Sequence, residues 1–396
     1  MDTTDRKLTF LKFFGPAWLV MIADMDASST IGAAETGAAF GYKLVWFMLA
    51  LIVPLYFIQE GAGRIGVATG KGLGEIIREN YSRKNALLMS LPMALTDVVT
   101  YVVEYLGIAI GFEMIGIPEF FLIAVFVVHI GLVISKKYVT FEKWLIFLSL
   151  ILVGSFAADL AVRGIRNCFP IYFSTSRSFL FILAADAGAV IMPFMLFFQA
   201  SATAEKRVHF SRGDGRKMVS WMRIETLIGA VVTELLMVIV EMATTGLSPT
   251  TNFASAIQLS KALTAIAGSY SPYLFGIGLI FAGFIALVII SLGSAWGTVE
   301  AIGLRRERAF WIYVIESIPA LLISLMLPQS MLVNEVLNFL VFLLIVLIGP
   351  GVIMGLVLRN KTIMREYASS FPYEIAYWFS FVLIVLMGLI SLIAFL

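Results

Sequence analysis

Within an apolar stretch that begins at Gly15, the chain places Asp24, Asp26, Ser28, Ser29 and Thr30. Carboxylate, hydroxyl and carbonyl oxygens are the donors that hard divalent cations take. If the stretch crosses a bilayer, each carboxylate at mid-depth costs roughly 2.5–3.5 kcal/mol on insertion scales and needs a partner or a cavity. Ser and Thr compete for backbone hydrogen bonds and form helices poorly. The stretch is therefore expected to open there and expose carbonyls. Asp24 and Asp26 lie two positions apart and cannot share a helix face. In an unwound segment one would face a site and the other a pathway. The plainer alternative is that both are buried and hydrogen-bonded, or close to a helix end.

A second interrupted stretch reads Asp186-Ala187-Gly188-Ala189-Val190-Ile191-Met192-Pro193. Pro193 lacks an amide donor and clashes with the preceding turn, and Gly188 is expected to loosen the helix further. Freed carbonyls near Ala189 would point into a cavity, because broken backbone is not tolerated against lipid. Met192 would offer a soft thioether, although a lone Met is more often a gap filler. Asp97 and Glu104, seven residues apart, share a helix face. They and Glu225, Glu234, Glu241 and Glu300 either line an ion path or pair with Arg64 and Arg223.

The elements that must carry these residues follow from composition. Of 396 residues, 60% are hydrophobic and 14% charged, against about a quarter charged in soluble domains. Lipid must be part of the solvent. Eleven apolar stretches are long enough to span, near 14–38, 44–66, 86–114, 118–135, 141–162, 178–203, 220–246, 271–297, 309–327, 331–358 and 371–395. Tight connections fall at Phe40-Gly41-Tyr42 and Gly116-Ile117-Pro118, where Gly and Pro supply the turns. With the N-terminus inside, 21 Lys and Arg fall in cytoplasmic segments and 5 outside. That bias predicts an integral protein of the plasma membrane, N-terminus cytoplasmic and C-terminus outside. The stretch before Lys12 shows no cleavable leader, so the first span is expected to be retained.

Eleven spans parse as five, five and one, within a single transmembrane domain over 1–396. The first repeat is expected at 14–162, the second at 178–358 and an extra helix at 371–395. An odd repeat length forces the two halves to cross in opposite senses. The single cysteine, Cys168, excludes an intrachain disulfide. His129 and His209 lack neighbours at zinc-site spacing. No GxxxxGK[ST] loop is present, which argues against an ATP-driven pump.

Together these residues resemble the NRAMP family of divalent metal transporters. The similarity runs through Gly15-Pro16 to Asp26, Tyr42-Lys43-Leu44-Val45-Trp46, Arg64 to Leu73, Glu104 to Ile110, Gly188 to Pro193 and the region of Glu300. The resemblance implies an all-α, LeuT-type fold with helices 1 and 6 broken. It also implies a metal site of Asp26, Ser29, the Ala189 carbonyl and Met192, with Asp24, Ser28, Glu104 and Gln199 in the pathway or around the site. The departures are specific. The family's Asp-Pro-Gly-Asn is Asp26-Ala27-Ser28-Ser29 here, its two sixth-helix histidines fall at Phe194 and Gln199, the aspartate before Glu104 falls at Tyr101, and the tenth-helix glutamine falls at Leu340. These lost groups belong to proton transfer and gating, and they look like the divergent NRAMP-related magnesium transporters.

The expectation is thus a transporter rather than an enzyme, moving Mg²⁺, and also Mn²⁺, inward by alternating access without obligatory proton coupling. Small hydroxyls leave room for the waters that magnesium keeps, and a doubly charged ion gains about 4.6 kcal/mol across 100 mV. Met192 argues instead for softer metals. The expected partners are the divalent ion and the bilayer, with no nucleic acid, no cofactor and no obligatory protein partner. The rivals are a proton-coupled Mn²⁺/Fe²⁺ transporter, a metal sensor or receptor on the same fold, and an organic-substrate carrier. The acidic side chains fit a cation better than an amino-acid carboxylate.

Overall fold

Backbone groups within hydrocarbon must be satisfied inside the protein, so helices are the available spanning elements for this composition. The computed structural model describes residues 10, 13–135, 138–165, 171–208, 215–326, 328 and 335–395. Cys168, His209, Arg6, Lys7, Lys12, Lys136, Lys137, Arg166 and Arg212 lie outside the described residues, as does the start of the tenth stretch.

In chain order the main helices are α1 Pro16–Asp24, α2 Ala27–Phe40, α3 Val45–Thr69, α4 Leu73–Asn80, α5 Arg83–Met114, α6 Leu122–Ile134, α7 Tyr138–Arg163 and α8 Arg177–Val190. They continue with α9 Pro193–Arg207, α10 Gly215–Thr244, α11 Ala256–Ala267, α12 Ser271–Ile302, α13 Phe310–Met326, α14 Val336–Arg359 and α15 Phe371–Phe395. No strand occurs among the described residues.

Nine helical runs among the described residues are long and apolar enough to cross a membrane. The difference from eleven has two causes. The first stretch is split into α1 and α2, and α2 runs on through a short 3-10 turn at Gly41–Leu44 into α3. The fourth stretch is short, its helix being α6. Gly41 and Gly116 both take positive φ, 62° and 81°, as their turns require.

The two broken stretches lie side by side. α1 packs on α9, and α2 packs on α8. Around them α12 runs along α5, and α10 along α3. α14 lies against α8 at Gly188, where a Cβ would fall on the Leu340 carbonyl oxygen. The role of Gly188 is therefore close approach between helices, the use of small residues that membrane bundles favour. The loosening expected of it is not seen, since α8 continues to Val190.

Candidate cation site at two broken helices

A helix end leaves carbonyls and amides without partners, and within a membrane each must find one. Several of the orphans at the two breaks have identifiable partners. α1 stops at Asp24, and the Met25 amide turns back to the Ile22 carbonyl. The Met21 carbonyl, which Met25 would otherwise have satisfied, accepts from the Thr233 hydroxyl of α10 at 2.5 Å. Asp26 is extended, with φ −77° and ψ −178°, and is the N-cap of α2. Its Oδ1 accepts from the Ser29 amide and the Ser28 hydroxyl, each at 2.7 Å. Short polar residues at an N-cap do this because they satisfy the first amides of the helix. The Ala27 amide donates to Glu104 Oε2 on α5 at 2.9 Å.

At the second break the Ala189 carbonyl lacks its helical donor because the residue four ahead is Pro193. The Ser29 hydroxyl donates to it at 3.2 Å. This hydrogen bond crosses from one broken stretch to the other. Ile191 and Met192 are extended, and Pro193 opens α9 at its first position, where a missing amide does no harm. Met192 and Met195 cap the start of α9 reciprocally, and the Met192 amide donates to Met195 Sδ at 3.3 Å. In this conformation the Met192 thioether is folded onto the first turn of α9.

The structure thus brings Asp26, Ser28, Ser29, Glu104 and the Ala189 carbonyl together at the crossing, with Met192 at the second break. Asp26, Ser28, Ser29 and Glu104 are fully buried and Met192 nearly so. Asp26 Oδ2 and Glu104 Oε1 have no partner. No group of three His, Cys, Asp or Glu among the described residues is placed to hold a metal. A cation here would need mixed donors: one carboxylate oxygen, a hydroxyl, a carbonyl and a thioether.

Other expected residues stand apart. Asp24, also buried and with both oxygens unpartnered, faces Glu234 on α10. Gln199 lies seven residues beyond Met192, about 10 Å along α9 at 1.5 Å per residue, and its amide donates to the Thr226 hydroxyl at 3.1 Å. Asp97 does not share the setting of Glu104; it faces Glu316 on α13.

Of the two alternatives for the acids named from sequence, an ion path or pairing with Arg64 and Arg223, the pairing does not hold: both arginines meet Glu60, at 3.1 and 2.9 Å. Glu225 Oε1 accepts from the Gly15 and Trp18 amides, Glu241 Oε1 from the Leu44 amide, and Glu300 pairs with Arg306 at 2.7 Å. Sequence reasoning also passed over Glu142, which pairs with Lys206 at 2.7 Å, and Asp186 as a carboxylate, which accepts from the Thr36 hydroxyl at 3.0 Å. It passed over Glu316 as well. Each is an ionisable residue inside an apolar run, the signal that marked Asp24 and Asp26.

The fold and the crossing define an integral membrane protein with two discontinuous helices meeting at a polar centre. Residues 17–394 match the Nramp family, described as natural resistance-associated macrophage protein-like, and the chain belongs to that family. It is 27% identical to the divalent metal cation transporter MntH of Bacillus subtilis over 421 residues, covering 99% of this chain and 95% of that one. The MntH of Deinococcus radiodurans is 25% identical over 82% of this chain and 77% of its own. Among solved structures, a manganese transporter of Eremococcus coleocola in complex with an aromatic bis-isothiourea compound superposes with a TM-score of 0.84. Its identity is 18%, and the match covers 99% of this chain and 88% of that one. The nucleobase-cation-symport transporter Mhp1 shares the fold at a TM-score of 0.65 and 15% identity, over 96% of this chain and 90% of that one. These neighbours place the architecture in the LeuT-type class.

Proposed function

We propose that this chain carries divalent metal cations across the cell membrane by alternating access, with Mn²⁺ or Fe²⁺ as substrate and protons as the coupling ion. The observation that carries the reading is the Ser29 to Ala189 contact at 3.2 Å. Beside it lies the unpartnered Oδ2 of buried Asp26. Asp26 would supply the charge, while Ser29 and the Ala189 carbonyl supply oxygens. Met192 would swing its thioether from α9 to the ion. Ser28 and Glu104 hold the cap of α2, Asp24 sits towards α10, and Gln199 lies further along the path.

The relatives name divalent metal and manganese, and a thioether suits metals softer than magnesium. This ranks the manganese reading above the magnesium expectation. A second reading keeps Mg²⁺ as substrate, on the observation that Ser28, Ser29 and Thr30 set three buried hydroxyls at the break. The Lys and Arg bias supports an N-terminus inside and a C-terminus outside, and the division into 14–162, 178–358 and 371–395 is retained in this proposal.

The test is uptake into proteoliposomes carrying a lumenal pH dye, comparing Mn²⁺, Mg²⁺ and Ca²⁺. Mn²⁺ uptake with lumenal acidification, abolished by Asp26→Ala while the protein still inserts, is the expected result. Mg²⁺ uptake without acidification would select the second reading. Undiminished uptake in Asp26→Ala would reject the site.

A further inference from the structure

An imbalance of charge lies where the connection from α14 to α15 meets α3. α10 and α15 both pack on α3. Over that face of α3 a single carboxylate oxygen, Glu60 Oε1, serves two guanidinium groups, Arg64 Nε at 3.1 Å and Arg223 Nε at 2.9 Å. Arg64 is buried, and its terminal nitrogens donate to the Tyr367 carbonyl at 3.2 Å and the Ser369 hydroxyl at 2.9 Å. Arg223 is differently placed. Its Nε donates to Glu60, its two terminal nitrogens have no acceptor among the described residues, and 32% of its side chain is exposed.

Two guanidinium groups and one carboxylate sum to +1. Arg keeps its proton in proteins, so the excess cannot be shed by titration. The acids at the same end of the bundle are engaged elsewhere, Glu366 with Arg216 at 3.1 Å and Glu374 with Arg359 at 3.6 Å. A charge held at the edge of hydrocarbon calls for a counter-charge. Beside Arg223 the outward face of α10 continues through Ile224, Leu227 and Ile228, all exposed.

The other wall is aromatic. The Tyr373 ring of α15 lies 4.3 Å from the Arg223 guanidinium carbon and 5.6 Å from that of Arg64, and it meets Phe57 of α3 edge-on at 5.9 Å between centroids. Stacking on a ring fixes the plane of a guanidinium. With Nε on Glu60, the two terminal nitrogens are left for a second acceptor, and a planar fork suits the oxygens of a phosphate. A charged fork beside an exposed apolar helix face has the pattern of an amphiphile. A free phosphate would use the fork and leave Ile224, Leu227 and Ile228 uncovered.

We propose that Arg223, backed by Arg64 and Tyr373, binds the phosphate of an anionic phospholipid in the leaflet at this end of the bundle, with an acyl chain along Ile224, Leu227 and Ile228. Basic pockets between membrane helices hold headgroups of this chemistry. The lipid supplies the second negative charge that the protein lacks and brings the cluster to neutrality.

Native mass spectrometry and thermal unfolding of delipidated protein in detergent test the site, with phosphatidylglycerol, phosphatidylcholine and inorganic phosphate as probes. Phosphatidylglycerol should stay bound and raise the melting temperature. Phosphatidylcholine, which carries a phosphate but no net charge, and inorganic phosphate should do neither at the same concentration. Arg223→Gln should weaken phosphatidylglycerol binding about fivefold, the worth of one basic residue near an anionic surface. Arg223→Lys keeps the charge, loses the fork and should fall between. Lys361→Gln removes an exposed cation at the same end and should leave binding unchanged. Glu60→Gln should have the opposite sign: it raises the imbalance to +2 and should tighten binding, which a merely misfolded variant would not do.

Undiminished phosphatidylglycerol binding in Arg223→Gln would overturn the proposal. So would an equal loss in Lys361→Gln, since the attraction would then belong to the whole basic surface. Equal binding of phosphatidylcholine, or weaker phosphatidylglycerol binding in Glu60→Gln, would overturn the charge count. A melting-temperature rise with inorganic phosphate alone would make this a free-anion site and remove the lipid. None of these measurements depends on transport.

Discussion

Glu225 Oε1 accepts the Trp18 amide at 2.9 Å, and the same oxygen takes the Gly15 amide at 2.7 Å. A carboxylate of α10 therefore caps the first turn of α1, where an anion meets unsatisfied amides and the positive end of the helix dipole. Lys206 adds a second tie by donating to the Phe14 carbonyl while paired with Glu142. Loss of a cap costs about 0.5–2 kcal/mol. Glu225→Ala should therefore speed amide exchange across Gly15–Leu19 and lower the melting temperature. Hydrogen-exchange mass spectrometry in detergent checks this; unchanged protection in the first turn would mean that other contacts hold α1.

The Ser29 to Ala189 hydrogen bond predicts a graded response at one position. Ser29→Ala removes a hydroxyl from a buried pair and should lose about 0.5–1.5 kcal/mol from the link. In the proposed function it also lowers Mn²⁺ affinity. Ser29→Asn returns a polar donor and acceptor and should keep uptake. Calorimetric titration of Mn²⁺ separates the two, and equal affinities in both variants would remove Ser29 from the site.

Met192 should control which metals compete. Met192→Leu conserves volume, so destabilisation should stay under about 1.5 kcal/mol, while the thioether is lost. Competition by Cd²⁺ should fall, and Mg²⁺ and Ca²⁺ should compete no worse. Equal loss for all ions would point to a packing role for Met192 alone.

Gly188→Ala puts a methyl group against a backbone carbonyl, which has no rotamer with which to retreat. Overpacking of this kind costs about 1–3 kcal/mol. Thermal unfolding should register the loss, and a smaller residue at Leu340 should not rescue it, because the clash is with main chain.

Removing the charge of Glu60 leaves Arg64, buried with 3% exposure, without its carboxylate. Breaking a buried pair from one side costs roughly 3–5 kcal/mol. Arg64 keeps the Tyr367 carbonyl and the Ser369 hydroxyl as acceptors, so Glu60→Gln should fall at the lower end. Expression level and melting temperature in detergent read the effect.

The spans were legible because hydrocarbon demands long apolar helices, and the breaks because Pro193 and the run from Asp24 to Thr30 contradict a continuous helix. The Ser29 to Ala189 contact was legible in kind, since a proline four residues on must orphan the Ala189 carbonyl. Partner choice was legible only in part. Glu60 lies four residues before Arg64, a spacing that joins them on one helix face and that the sequence reading passed over; that Arg223 meets the same carboxylate depends on how α3 and α10 are rotated against one another, which nothing local encodes. Gly188 was misread for the same reason, because its neighbour across the gap is an α14 carbonyl more than 150 positions away in the chain. Asp97 and Glu104 share a face over two turns, yet a crossing helix lets one reach α13 while the other reaches α2.

Glu60 grips Arg64 on its own helix and Arg223 on α10, while the Tyr373 ring of α15 lies 5.6 and 4.3 Å from the two guanidinium carbons. Sliding α10 past α3 would part at least one of these guanidinium groups from its carboxylate. In the proposed transport cycle those two helices and the terminal one would therefore swing as a single lever, with the bending left to the unwound residues at Met25 and Ile191.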